Sequence, residues 1–208
     1  MSSNESEPKV SRPQSKRKLD RRIRRTRDQL GDALVALMQE KPFDSITIKD
    51  VLARAEVGRS TFYVHFRDKD DLFLSDADEF LEAMATMLSR SKDTSERVAP
   101  VREFFKHVGE GQRLYKALVE SGKIHDFLEL AQGHFARGIE QRLAELSRSR
   151  GIAPASRAAL AHALTGSLLS LLTWWLDHGM RATPEQMDKT FHQLVWSGIT
   201  PPASPTMT

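Results

Sequence analysis

Arg59, Ser60 and Tyr63 fall within one stretch of eight residues, RSTFYVHF, and each is a side chain able to read or grip a nucleic acid. A guanidinium offers a planar fork to guanine O6 and N7. A serine hydroxyl bonds either base type, and a phenol reaches a phosphate or a thymine methyl. In a helix over Arg59–Phe66, Phe62 and Phe66 lie one turn apart on the buried side. That leaves Arg59, Ser60 and Tyr63 facing outward, with Val64 beside them. So short a helix gains little from packing such a face and is suited to a groove. Catalytic chemistry finds no comparable set. The seven histidines, at 65, 107, 125, 134, 162, 178 and 192, stand singly. The chain has no His-Glu-x-x-His pair, no Gly-x-Ser-x-Gly elbow and no Gly-rich phosphate loop. Asp177-His178 at a helix end reads as a histidine near the negative pole of the helix dipole. No catalytic residue, metal ligand or cofactor is expected.

The elements that hold this stretch are legible on both sides of it. Thr47 starts a helix with a capping box, its hydroxyl taking the Asp50 amide while the Asp50 carboxylate returns to the amide of Thr47. Ile48, Val51, Leu52 and Ala55 then fall at i, i+3, i+4 and i+7 and give that helix one apolar face. Glu56-Val57-Gly58 makes the turn into the second helix. Asp68 caps a further helix with Asp71 at its third position, which places Lys69 and the helix-start amides where a phosphate would sit. Helix, short turn and second short helix is the layout of a helix-turn-helix.

The run TIKDVLARAEVGRSTFYVHFRDKDDL resembles the DNA-binding signature of the tetracycline-repressor-like (TetR) family of bacterial transcription regulators, especially at Thr61-Phe62-Tyr63-x-His65-Phe66 followed by Lys69. With the helix ahead of it, the likeness covers Arg22–Leu74. The resemblance implies that Thr47, Tyr63, His65 and Lys69 touch phosphates and that Lys49, Arg59, Ser60 and Thr61 lie near bases. Two positions depart from the family pattern. Glu56 stands where glycine is usual because the turn residue is left-handed, at a cost on the order of 1 kcal/mol. Gly58 stands where a serine-like cap is common.

Charge is distributed unevenly. Met1–Asp70 holds 16 Lys+Arg against 11 Asp+Glu, whereas the remainder holds 15 against 17. Within Lys9–Arg27 there are ten basic residues and one acid, Asp20. Directly before a DNA-reading unit, such a run supplies phosphate contacts or a minor-groove arm; the competing reading is a solvated tail. Cysteine is absent, so there is no disulfide framework, which is compatible with a reducing compartment. The first residues lack the apolar core of a signal peptide, and the longest apolar run, Leu168–Leu176, is too short to span a bilayer. A soluble, cytoplasmic protein with no membrane partner is expected.

The pattern is all-α, with about nine helices. Residues 1–19 read as a disordered basic arm, 20–74 as a three-helix helix-turn-helix domain, 75–200 as a helical regulatory and dimerisation domain, and 201–208 as a disordered tail. Phe43 and Ile46 plug the gap between the first two helices. A fourth helix over Lys69–Arg90, about 33 Å long, connects the two domains. The helices expected over 155–178 and from Thr183 onward resemble the pair through which the family dimerises as a four-helix bundle. A two-fold dimer reads a palindrome with half-sites about 34 to 36 Å apart. The resemblance also implies a pocket for a small-molecule effector. Phe105, Tyr115, Phe127, His134, Trp174 and Trp175 are its candidates, and plain core is the competing reading of each. Trp174 and Trp175 are adjacent and cannot share a face, so one supports the core and the other a pocket or the dimer seam. The leading expectation is a homodimeric, sequence-specific regulator of double-stranded DNA, a repressor. The alternative is a DNA-bound co-regulator whose second domain binds a partner protein.

Overall fold

The computed structural model describes residues 14–150 and 152–199. Among them are ten α-helices and one 3-10 turn. They are α1 Gln14–Met38, the 3-10 turn Phe43–Ser45, α2 Ile48–Ala55, α3 Arg59–His65, α4 Lys69–Ala85, α5 Met87–Arg90, α6 Val101–Glu110, α7 Gln112–Glu120, α8 Ile124–Arg150, α9 Pro154–Asp177 and α10 Pro184–Ile199. α1 starts earlier than expected. From Gln14 to Leu30 the chain has no Gly or Pro and is rich in helix formers, so residues 14–19 continue the helix instead of forming an arm. The rest of the expected arm, residues 1–13, and the tail at 201–208 lie outside the described residues.

The head is built from α1 to α3 and the start of α4. Leu30, Leu34, Leu37 and Met38 of α1 meet Val51, Ala55, Phe62, Phe66 and Leu72 in one core, with Phe43 and Ile46 buried between α1 and α2. Burial of such side chains contributes roughly 1.5–3 kcal/mol each. Arg27 ties α1 to α4, donating to Ser75 Oγ and to Glu79 Oε1 at 2.5 and 2.9 Å, with its guanidinium 5.0 Å from the centre of the Phe66 ring.

The second domain packs α8 against both α9 and α4, and α10 against α6. The expected fourth helix is interrupted at Thr86, whose hydroxyl bonds back to Glu82 O at 2.8 Å while its ψ is 0. Such back-bonding bends a helix, and it accounts for ten helices where nine were expected. The segment before α6 is organised by the buried guanidinium of Arg142, which donates to Arg97 O at 2.9 Å, Ser95 O at 2.6 Å and Asp93 Oδ1 at 3.3 Å. The α10 start follows expectation: Gln186 N donates to Thr183 Oγ1 at 3.3 Å and Thr183 N to Gln186 Oε1 at 2.8 Å. By length and composition α9 is apolar enough to cross a membrane, with a mean hydropathy of 1.3. The short run Leu168–Leu176, itself broken by Ser170 and Thr173, understates it. Its Ala161, Leu164, Leu168, Leu172 and Trp175 belong to the core instead.

Candidate nucleic-acid interface

The reading helix is set by what precedes it. Asp50 N donates to Thr47 Oγ1 at 3.2 Å, and Thr47 N and Oγ1 donate to Asp50 Oδ2 at 2.9 and 2.8 Å. Lys41 Nζ adds a bond to the same oxygen at 2.8 Å, and it leads the contacts that hold the Asp50 carboxyl well below the usual range. α2 ends at Glu56, which takes the left-handed conformation (φ 54, ψ 37) that the glycine-like position requires. α3 then starts at Gly58 with no side-chain cap.

Phe62 is fully buried, and so the opposite side of α3 faces solvent. Arg59, Ser60 and Thr61 are exposed, as is Lys49 on α2, and His65 is half-buried. Tyr63 is braced: its ring stands edge-on to Phe62 at 5.3 Å, and the Arg59 guanidinium lies 5.7 Å from its centre. This is an array of hydrogen-bond donors on a rigid base, free of packing duties.

Two of the expected contacts are otherwise engaged. Both donors of Thr47 serve the α2 cap. Lys69 turns inward, its ammonium donating to Phe43 O at 2.7 Å and Ile46 O at 3.1 Å, 4.4 Å from the Phe43 ring centre. Only its third N–H remains for a phosphate. The partners that capture it lie 23 and 26 residues earlier, too far for a local reading to find. Arg67, just past the Phe66 cap of α3, was not among the expected contacts; its side chain is 85% exposed while its guanidinium donates to Asp71 Oδ1 at 3.3 Å. Its sole signal was a guanidinium between the reading helix and the Asp68 cap. Along α1, Arg21, Arg22, Arg24 and Arg25 are exposed.

A family model described as bacterial regulatory proteins, tetR family, matches residues 30–75, and one described as transcriptional regulator C-terminal region matches residues 100–196. The chain belongs to the TetR family. The uncharacterized HTH-type transcriptional regulator YxbF of Bacillus subtilis (strain 168) is 26% identical over 192 residues, or 88% of this chain. The chain spans about half the length, 47%, of that relative. A TetR transcriptional regulator from Streptococcus agalactiae 2603V is 27% identical with a TM-score of 0.56, covering 86% of this chain and 98% of its own. Two further structures share the fold at 16% identity each. A putative TetR-family transcriptional regulator from Syntrophomonas wolfei has a TM-score of 0.67 over 87% of this chain and 98% of its own. The dihydroxyacetone kinase operon activator DhaS has 0.64 over 84% and 96%. This TetR-family chain therefore carries the DNA-binding region and the C-terminal region of a bacterial transcriptional regulator.

In the second domain of this TetR-family regulator, the six aromatic and histidine candidates do not converge. Phe105 and Trp175 are core, their ring centres 5.0 Å apart, and Trp175 Nε1 donates to Ala182 O at 2.8 Å to fix the α9–α10 turn. Tyr115 and Phe127 are a second buried pair at 5.5 Å, and burial raises the Tyr115 hydroxyl pKa. Trp174 points the other way, 49% exposed and stacked on His178. His134 lines a cleft of about 500 Å3 between α4 and α8 with Leu74, Asp78, Leu130 and Arg137, whereas Trp174 lines a separate one between α9 and α10. Arg137 Nη2 donates to His134 Nδ1 at 3.0 Å, so Nε2 carries the proton and donates to Asp78 Oδ1 at 2.7 Å. Of the six, Phe105, Tyr115, Phe127, His134 and Trp175 are buried and Trp174 is exposed.

Lys123, between α7 and α8, joins this domain to the head. Its ammonium pairs with Asp70 at 2.5 Å and Asp126 at 3.0 Å and lies 5.4 Å from the centre of the Phe43 ring. Lys69 and Lys123 therefore meet at one aromatic ring of the helix-turn-helix domain.

Proposed function

We propose that the chain acts in the cytoplasm as a homodimeric repressor that occupies a palindromic operator and leaves it when the second domain rearranges. The observation that carries this is the outer face of α3. Arg59, Ser60, Thr61 and Tyr63 stand exposed on a helix anchored by a fully buried Phe62. An array like that matches base edges and phosphates in a major groove. Pairing is supported by the α9–α10 surface, where a cleft of about 980 Å3 runs past Leu171, Trp174, Met187 and Leu194. Trp174 and Leu194 are 49% and 57% exposed there, an apolar patch suited to an isologous seam. Occupying the operator excludes other proteins from it, which is repression. Release follows if a small molecule in the α4/α8 cleft favours a second arrangement of α4, because α4 begins inside the head.

The test is a binding titration of the full chain on a duplex selected from a random pool, at two salt concentrations. Salt-sensitive affinity is expected, with a loss of about 1–3 kcal/mol on Arg59→Ala. Affinity indifferent both to salt and to Arg59→Ala plus Tyr63→Ala would refute the reading.

A further inference from the structure

Val64 is the most exposed large apolar side chain among the described residues, at 78%. It sits in the middle of the reading face, not at its edge. Taking the buried Phe62 as the inward direction, Tyr63 lies about 100° round the helix, while Ser60 and Val64 lie at about 160° and 200°. These last two are the pair that projects furthest from the core. Ser60 is a hydrogen-bonding side chain with an obvious use against a base edge. Val64 has no such use, and it makes none of the ring contacts that brace Tyr63.

A β-branched side chain is stiff, so its two methyl groups are held in fixed directions. The major groove offers one apolar group for them to meet, the 5-methyl of thymine; all other features there are donors or acceptors. Four residues along a helix advance about 6 Å, against about 3.4 Å per base step. Val64 therefore falls one to two base pairs from the position met by Ser60.

We propose that Val64 is a specificity-determining residue that selects a thymine in each half-site by contact with its 5-methyl group. The proposal rests on the DNA-binding reading above and names one base of the operator. It concerns bound sequence, not the existence of binding.

The experiment uses the full chain and a duplex it selects from a random pool, with each thymine replaced in turn by deoxyuridine, which removes only the methyl. One thymine per half-site is expected to be sensitive, its replacement weakening binding about fourfold, and about fifteenfold when both half-sites are changed. Val64→Ala is expected to make that position indifferent, while Val64→Thr, which keeps the shape and one methyl, retains part of the discrimination. Replacing the sensitive thymine pair by a 5-methylcytosine pair is expected to bind better than the plain cytosine pair. If every deoxyuridine duplex binds within twofold of the parent while the parent still binds in a salt-sensitive way, the DNA-binding reading stands and the role of Val64 is overturned. The same holds if the sensitive thymine stays sensitive in Val64→Ala. If no sequence is enriched at all, the operator reading fails and takes this inference with it.

Discussion

Glu56 is held at φ 54 and ψ 37, where the Cβ of an L-residue crowds the following carbonyl. Its amide bonds Leu52 O and so closes α2, leaving the turn intact at the cost of strain. Glu56→Gly is therefore expected to stabilise the protein by about 1 kcal/mol, read as a higher urea midpoint with unchanged slope. A lower midpoint would show that the glutamate is not strained there. Asp76 makes a second case. Its carboxyl lies against Gly31 of α1, close enough that a Cβ on Gly31 would sit 2.3 Å from Asp76 Oδ1. Burial first, then the neighbouring charges of Asp32, Glu79 and Asp28, push its pKa from 3.8 up to about 6. A native pKa above the unfolded one means that the folded state binds the proton more tightly. The penalty is thus absent below pH 3.8, grows as pH rises from there to about 6, and is complete above it. Asp76→Asn is expected to match the parent near pH 4 and to exceed it by about 1–2 kcal/mol at pH 7. Equal stability of the two at pH 7 would contradict the buried-charge account. Features of this size were legible in the sequence only where they are local. Thr47 with Asp50 and Thr183 with Gln186 are three residues apart and were readable, whereas Asp76 against Gly31, or Lys69 under Phe43, depends on the fold bringing distant segments together.

Between α4 and α8 the decisive contact is a backbone approach. A Cβ on Gly138 would stand 2.4 Å from Ala85 O, so α8 can lie this close only because residue 138 has no side chain. The contact falls one residue before Thr86, where α4 bends. The bend, the glycine and the carbonyl together form one joint between α4 and α8. Gly138→Ala must separate the helices, since the obstacle is backbone and cannot rotate away. A loss of about 1–3 kcal/mol is expected in chemical denaturation, although alanine is the better helix former in isolation. A neutral or stabilising effect would mean that the helices part at no cost. The same joint explains which element boundaries could be read in advance. Helices ended by Gly or started by a cap were placed closely, as at Gly179 and Thr183. The interruption at Thr86 was not, because a threonine whose hydroxyl bonds back to Glu82 O looks in sequence like any other residue of the helix.

At the scale of the whole molecule, one head is a weak reader. α3 is seven residues long and presents few side chains, so a single copy leaves most of its affinity to phosphate contacts that carry no sequence. Two copies on a two-fold axis double the base contacts and require both half-sites to be present at a fixed spacing. The surface proposed for pairing lies on α9 and α10, at the opposite end of the sequence from α3, so it can be altered without touching the reading face. Leu194 is the informative position. It is 57% exposed, so a charged side chain there meets water in a lone subunit, but would be buried beside Trp174 and Leu171 in a pair. Burial of an unpaired carboxylate is costly enough to break such a seam. Leu194→Glu is expected to keep the helical content and unfolding midpoint of an isolated subunit and to sediment as a monomer. On a palindromic duplex it is expected to bind at least about 100-fold more weakly than the parent, and no better than on a single half-site. A Leu194→Glu protein that still sediments as a dimer would place the seam elsewhere. A monomer that still binds the palindrome with full affinity would show that pairing is not the source of the grip.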